Sequence, residues 1–234
     1  MELLRDCPRG TLPDNGVCIP VPASASGLPR MVAEQMSHRN RHGDWTAYEQ
    51  IPRRPERPAA YERYRLPLDG VQREDIVSGY DLHAADAYQR RGPNLHSTGH
   101  GGLDIVALRG TPVRMVPLEA QEGTASVLYV GELFGNTVVT RHRIREAGEL
   151  RDYLVLFGHL ERPAPGLASG MALDNGELVG TVGDSGSPGA IHLHLEVRQV
   201  RRGVEPLALG RYEMTDNARS VACDPRNILR LDSR

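Results

Sequence analysis

The residues best suited to chemistry lie in one short segment, residues 191–197. Its apolar and polar side chains alternate, which is typical of a half-buried strand. On a strand, His192, His194 and Glu196 would share one face while the apolar residues between them face a core. Two imidazoles two residues apart, directly after a glycine-rich turn, favour metal binding or acid–base chemistry over an ordinary polar role.

A second segment, His100-Gly-Gly-Leu-Asp104, supplies a further histidine and a carboxylate. Glycines between His100 and Asp104 would let the backbone bend so that the two side chains converge. Together with one histidine of the later pair they would offer two nitrogens and one oxygen, and three protein ligands with an open fourth position are typical of a catalytic zinc site. The spacing alone also fits a turn histidine followed by an aspartate that caps a strand.

The composition excludes several other kinds of chemistry. The 234 residues contain no lysine, so all 28 positive side chains are arginine. This excludes a lysine Schiff base, a phosphate-loop lysine and a kinase lysine. The formal net charge of −2 gives no reason to expect nucleic-acid binding, which depends on neutralising phosphates.

The elements that would position these residues are short strands separated by glycine turns. Strand-forming residues are concentrated in five segments of the chain: 127–130, 136–140, 153–157, 178–182 and 191–197. No long helical pattern lies between them, so we expect a mainly antiparallel β domain. Asp224-Pro225 is a good start for a short helix near the end.

We expect the chain to divide into residues 1–65 and residues 66–234. Nine of the 17 prolines fall in the first 70 residues, which predicts an irregular arm with one short helix over residues 28–38. Within this arm, Cys7 and Cys18 enclose a Pro/Gly-rich loop. They are either joined by a disulfide, which would stabilise the loop by about 2.5–3 kcal/mol, or are two free thiols. Cys223 is predicted to be a small buried residue.

The location of the protein also follows from the cysteines. The chain has no apolar run of about 20 residues, and its first residues do not form an export signal. Either the protein is cytoplasmic or the sequence starts after a removed signal. Because a disulfide would persist outside the cytoplasm, the cysteines favour the second alternative.

The order of the motifs from about Leu66 to Leu229 resembles the LytM/lysostaphin-type zinc metallopeptidases, which cut peptide cross-links of the bacterial cell wall. The matching motifs, in chain order, are His100-Gly-Gly-Leu-Asp104, Gly110-Thr-Pro-Val113, Gly135-Asn136, Phe157-Gly-His-Leu160, His192-Leu-His-Leu-Glu196 and Asp224-Pro225. The resemblance implies an antiparallel β metallopeptidase domain, similar to the sandwich of the duplicated hybrid motif.

The resemblance also implies a role for each site residue. His100, Asp104 and His194 would bind Zn²⁺, and His159 and His192 would be the catalytic histidines. Glu196 is expected to support the site or to be structural. The implied substrate is a peptidoglycan peptide, cut outside the cytoplasm by a monomeric protein. Phe157 stands where the family often has tyrosine, so a phenol at this position is absent.

Two further hypotheses remain besides an active endopeptidase. The domain could be a weak or inactive relative that binds cell wall or activates an amidase. It could also be another β-fold metal enzyme such as a cupin. The cupin hypothesis expects a histidine after the His-x-His pair, and none follows His194.

Arginines 141, 143, 145 and 151 could line a cleft, but a solvated charged edge is favoured.

Overall fold

The computed structural model describes residues 11–14, 17–20, 37–39, 45–47, 58–80, 100–146 and 148–232. The first four of these segments form a small antiparallel sheet. Its strands, in spatial order, are β1 (Thr11–Asp14), β2 (Val17–Pro20), β3 (Ser37–Arg39) and β4 (Trp45–Ala47). The described part of the N-terminal extension therefore contains four strands of three or four residues each, which the sequence analysis did not predict.

Two predictions for this extension fall wholly or partly outside the described residues. Cys7 is not among them, so the Cys7–Cys18 disulfide stays a prediction. Residues 28–36 of the predicted helix also lie outside, and the end of that segment, residues 37 and 38, is part of strand β3. A helix that reaches His38 is therefore wrong.

The remaining strands form one large sheet in which every pairing is antiparallel. They are β5 (Ile76–Ser78), β6 (Gly102–Val106), β7 (Pro112–Arg114), β8 (Ala125–Leu133), β9 (Gly135–Glu146), β10 (Glu149–Pro163), β11 (Ala172–Leu173), β12 (Leu178–Val182), β13 (His192–Val200) and β14 (Ser220–Cys223). The main order is β11-β8-β9-β10-β13-β6-β5, with β12 also paired to β10 and β7, and β14 to β13. The predicted mainly antiparallel β fold and its five strand segments are confirmed.

The central strand β10 is buried on both of its faces. Tyr153, Val155 and Phe157 point into the main core, while Leu154 and Leu156 point into a second, smaller core. This explains why residues 153–157 are a continuous apolar run and do not alternate, since both sides of the strand are covered. Strand β13 shares the main core through Leu193 and Leu195, which leaves His194 on the face of the smaller core.

The chain around the predicted boundary at residues 65 and 66 packs with this sheet. Tyr64 is 2% exposed in the main core and pairs with Leu231 near the end of the chain. The predicted short helix near the end is confirmed as a single 3₁₀ turn, Pro225–Asn227, with Asp224 accepting a hydrogen bond from the Arg226 backbone N–H at 2.9 Å. Cys223 is buried, as predicted.

Two arginines of the β9–β10 hairpin form ion pairs with neighbouring carboxylates. Arg141 lies 2.7 Å from Asp152, and Arg145 holds both carboxylate oxygens of Glu122. These residues belong to the end of the hairpin that is remote from Gly158 and His159. The arginines are therefore part of a charged edge and do not line the site described below.

His142 on strand β9 is a completely buried histidine that carries no role in the motifs. Its Nδ1 lies 2.7 Å from Gln121 Oε1 and its Nε2 lies 2.9 Å from Thr140 Oγ1. Because an amide oxygen only accepts, Nδ1 carries the proton and Nε2 accepts from the threonine. Burial lowers the pKa of His142 to about 3, so the ring is neutral in the folded protein.

This buried ring predicts a loss of stability in acid. An unfolded chain, in which the histidine pKa is about 6.5, takes up a proton as pH falls while the folded chain does not, so the free energy of unfolding decreases between about pH 6.5 and 3. We expect His142→Gln to remove about 2 kcal/mol of the decrease seen between pH 7 and 5. Urea unfolding of both proteins at the two pH values checks this, and equal decreases would contradict it.

Candidate metal centre

Strands β6 and β13 bring the two predicted motifs together by direct pairing. Asp104 lies opposite His194 in the antiparallel register, and His192 lies opposite Val106. Side chains opposite each other across such a pair project from the same face of the sheet. His100 precedes β6 and turns its ring back over the same face, where it contacts both Asp104 and His194.

Three side-chain atoms converge at this point. His100 Nε2 lies 3.0 Å from Asp104 Oδ1 and 3.2 Å from His194 Nδ1, and the last two atoms are 3.0 Å apart. Ligands of a tetrahedral zinc ion, at about 2.0–2.1 Å from the metal, would be separated by about 3.3–3.4 Å. Small outward movements of the three atoms would therefore accommodate such an ion. Among the described residues, these are the three that could hold a metal.

The outer nitrogen of each of these two histidines determines its tautomer. His100 Nδ1 lies 2.9 Å from the Gly79 carbonyl oxygen, and His194 Nε2 lies 3.2 Å from Glu196 Oε2. Both partners are acceptors, so the histidine nitrogens facing them carry the protons. The inner nitrogens then face Asp104 and are the positions where a metal ion, or a proton in its absence, would bind, which is the arrangement found in metal-ligating histidines.

The charges of the cluster also fit a cation. Although burial alone would lower the pKa of His194, the hydrogen bonds and charges of Asp104 and Glu196 raise it to about 9. Burial alone would raise the pKa of Asp104, but hydrogen bonds from His100 and His194 hold it well below its usual range. The site thus stabilises positive charge next to an ionised carboxylate. A bound cation would supply that positive charge. His100 and His194 are 6% and 7% exposed, so the cluster is largely shielded from water.

The two glycines between His100 and Asp104 act differently from what we expected. Neither has a positive φ, so they provide no unusual bend. A Cβ atom on Gly102 would lie 2.4 Å from the Leu195 carbonyl oxygen, and one on Gly101 would lie 3.3 Å from the Glu196 carboxyl carbon. The glycines therefore allow β6 to approach β13 closely, which places Asp104 against His194.

The other two predicted site residues, His159 and His192, lie beside the cluster on its more exposed side. Their ring centres are 4.6 Å apart, and His192 Nε2 is 3.6 Å from Asp104 Oδ1. Each Nδ1 lies 2.8 Å from a backbone carbonyl oxygen, that of Ser185 for His159 and that of Ala190 for His192. In both rings Nδ1 therefore donates to the backbone, and Nε2 is the nitrogen that remains for the site. Burial lowers the pKa of His159 to about 4, which keeps its Nε2 lone pair available.

His159 reaches this position through an irregularity in strand β10. The pairing with β9 shifts between Phe157 and Leu160, and His159 has a φ of 57°, which is uncommon for a residue with a side chain. Its backbone N–H donates to the Phe134 carbonyl oxygen at 2.8 Å, which holds the irregular segment in place. The bulge turns the ring toward His192, whose ring lies on the neighbouring strand β13.

Phe134 is a site residue that the sequence analysis missed. Its ring centre is 5.0 Å from that of His194, and a Cβ on Gly158 would lie 2.9 Å from Phe134 Cβ. The sequence analysis uses Gly135-Asn136 as a family motif but assigns no role to Phe134, although an aromatic residue next to a motif glycine is a usable signal. Phe157, in contrast, lies in the main core, so a hydroxyl at that position would not face His194.

The comparisons with known proteins identify the family of this region. Residues 98–206, which contain all five predicted site residues, match peptidase family M23. This region belongs to peptidase family M23. The predicted resemblance to LytM/lysostaphin-type peptidases is thereby confirmed.

Individual relatives of the M23 region are distant. An uncharacterized lipoprotein of Escherichia coli strain K12, YgeR, is 26% identical over 112 residues, which are 47% of this chain and 38% of that protein. The match thus spans well under half of that relative.

Among described residues, no helix is long and apolar enough to cross a membrane.

Similar solved structures include the following three. Lysostaphin from Staphylococcus simulans is 17% identical with a TM-score of 0.42, covering 70% of this chain and 52% of its own. A zinc-containing peptidase from Vibrio cholerae is 22% identical with a TM-score of 0.40, covering 83% and 50%. The catalytic domain of the prophage-encoded M23 protein EnpA from Enterococcus faecalis is 25% identical with a TM-score of 0.31, covering 58% and 92%.

The close approach of β6 and β13 predicts the effect of one added methyl group. Gly102→Ala would place a Cβ against the Leu195 carbonyl, so the strands must separate and Asp104 must move away from His194. We expect weaker zinc binding and a loss of about 1–3 kcal/mol in stability. Zinc titration and thermal unfolding measure the two effects.

Gly210→Ala is the matched control for this variant. A Cβ at Gly210 would first meet Glu213 Oε2 at 3.4 Å, an ordinary contact. We expect the result of the zinc titration to be the same for this variant and for the unmodified protein. Unchanged zinc affinity in Gly102→Ala would show that the strand separation does not determine the site.

Proposed function

We propose that this protein is a zinc-dependent endopeptidase that hydrolyses peptide cross-links or stem peptides of bacterial peptidoglycan. The observation that supports it most directly is the convergence of three lone-pair atoms from His100, Asp104 and His194. Beside them lie two further histidines whose Nε2 atoms remain for the site. The M23 family match supports the peptidase class of this proposal.

The proposed metal ligands are His100 Nε2, Asp104 Oδ1 and His194 Nδ1. Two imidazoles and one carboxylate are a donor set of catalytic zinc sites, in which three protein ligands leave a position for water or substrate. When bound there, zinc supplies a Lewis acid that polarises a carbonyl group and lowers the pKa of water to about 7. Gly79 and Glu196 hold the outer nitrogens of the two imidazoles, which keeps their lone pairs directed inward.

His159 and His192 are the proposed acid–base residues. Each donates from Nδ1 to a carbonyl of the loop that contains residues 185–190, and each is only partly buried, so the Nε2 atoms can reach a substrate. A neutral imidazole at this place takes up the proton of the attacking water or donates a hydrogen bond once protonated, and it can later return the proton to the leaving amine. No glutamate base is required for this arrangement.

The substrate and the location are proposed from the descriptions of similar proteins. Lysostaphin is described as an antimicrobial peptidase, and YgeR as a lipoprotein. An extracytoplasmic enzyme acting on cell-wall peptides is consistent with both descriptions and with a Cys7–Cys18 disulfide. We further propose that residues 66–234 form the metallopeptidase domain and residues 1–65 an N-terminal extension to it.

Two substitutions separate the proposed roles. His194→Ala removes a ligand, so the purified protein should lose its zinc, which we expect at roughly one ion per chain. His159→Ala removes no ligand, so zinc should stay while cleavage falls by a factor of about 10²–10⁴. Metal analysis and detection of new amino termini in digested peptidoglycan measure both quantities.

The control is His38→Ala, since His38 lies outside the M23 region and should change neither quantity. Loss of zinc from His159→Ala would contradict its assignment as an acid–base residue. Stoichiometric zinc without cleavage of any of several wall types would contradict the endopeptidase proposal and favour the cell-wall-binding alternative.

A further inference from the structure

Arg198 is a buried arginine on the same face of strand β13 as His194. It is 4% exposed, and its hydrogen bonds join two parts of the chain. Toward the metal centre, its Nη1 donates to Glu196 Oε1. On the other side, Nε donates to Ser220 Oγ at 2.7 Å, and Nη2 lies within 3.1 Å of the Thr215 carbonyl, Asn217 Oδ1 and the Ser220 carbonyl.

Stability alone does not explain a buried ion pair at this place. Removing an arginine and a glutamate from water costs several kcal/mol per ion, and well-packed apolar residues often stabilise a core as well or better. Glu196 is itself 4% exposed, and Gly101 leaves the space that its carboxylate occupies. The pair must therefore satisfy a requirement that apolar residues could not meet.

That requirement is a hydrogen-bond acceptor for the outer nitrogen of His194, Nε2. Glu196 uses its two oxygens in different directions, Oε1 toward Arg198 and Oε2 toward His194 Nε2 at 3.2 Å. An apolar side chain at position 196 would leave the buried N–H of His194 without an acceptor. Without Arg198 the glutamate would keep its contact with His194 but lose the donor to Oε1, so its carboxylate would be held from one side alone.

We propose that Arg198 is a positioning residue that acts on His194 through Glu196 and thereby sets the affinity of the metal centre. The inference rests on the proposed metal site. Arg198 holds the carboxylate, the carboxylate holds the Nε2 proton of His194, and the Nδ1 lone pair is directed at Asp104 and His100. The guanidinium suits this role because its planar fork donates in several fixed directions at once.

The proposal also connects the metal centre to residues beyond the M23 region. Thr215, Asn217 and Ser220 all follow residue 206, where the family match ends. Ser220 Oγ in turn donates to the Met214 carbonyl at 2.6 Å, and Met214 is buried in the smaller core. The segment 214–220 thus anchors Arg198 from behind.

The test measures zinc affinity of the metal-free full chain by competition with a chromophoric chelator. We expect Arg198→Met to weaken binding about 10- to 100-fold, as is typical for groups that orient a metal ligand. Arg198→Lys keeps the charge and should lose less. Asn217→Ala removes one anchor of Arg198 and gives a milder variant if Arg198→Met does not fold.

Arg141→Met is the matched control, because Arg141 also holds a carboxylate, Asp152 at 2.7 Å, but lies away from the metal centre. It should leave zinc affinity within about twofold of the unmodified protein. If Arg198→Met and Arg141→Met bind zinc equally well while both unfold at lower temperature, Arg198 is structural only and the proposal is overturned.

A double variant tests whether Arg198 acts through Glu196. In a Glu196→Gln background, Arg198→Met should cause little additional loss of zinc affinity, since the intermediate group is already changed. Independent, additive losses would contradict the proposed order of action. In the zinc-loaded protein, burial and the bond to Glu196 should protect the His194 Nε2 proton from exchange with water. We expect its proton resonance to be seen in the unmodified protein and in Arg141→Met and to be lost in Arg198→Met.

The outcomes separate this inference from the proposed function. If the unmodified protein binds no zinc, the proposed metal site fails. If the unmodified protein binds zinc and Arg198→Met binds it with the same affinity, only the role of Arg198 fails.

Discussion

The structure of the site depends on three lone pairs that face one another at about 3 Å. His100, Asp104 and His194 each present an acceptor, and their outer hydrogen bonds fix this arrangement. Three acceptors in a buried position repel each other unless a cation or extra protons lie between them. The same requirement explains the raised pKa of His194, because a proton on its ring supplies positive charge between the acceptors. A metal ion meets it without disturbing the imidazole tautomers.

Much of the fold can be understood as the support that this arrangement needs. The antiparallel register sets Asp104 opposite His194, and two glycines allow the backbones to come close. Apolar packing on both faces of β10 holds this strand in position. The bulge in β10 can then place His159 next to His192. Behind the cluster, Glu196 and Arg198 are buried polar residues. Their desolvation is unfavourable and is offset by the hydrogen bonds from Arg198 to Glu196 and to residues 215–220.

The sequence predicted the parts of this structure that have a short-range pattern. Alternation in residues 191–197 indicated which side chains share a face, and strand-forming runs located five of the strands correctly. It could not predict the contacts that depend on distant strands. The close approach at Gly102 depends on a carbonyl of Leu195, and the position of Phe134 depends on the space at Gly158. The short strands of the N-terminal extension were missed because prolines and charged runs obscure a three- or four-residue strand.

One loop orients the rings of both proposed acid–base histidines. The carbonyls that orient His159 and His192 belong to Ser185 and Ala190, five residues apart in the same turn. Asn136 fastens this turn from strand β9, since its backbone N–H donates to Ser185 Oγ at 2.8 Å. A shift of the turn therefore reorients both rings together. The orientation of both histidines thus depends on one loop, which contacts their rings through backbone carbonyls whatever its side chains are.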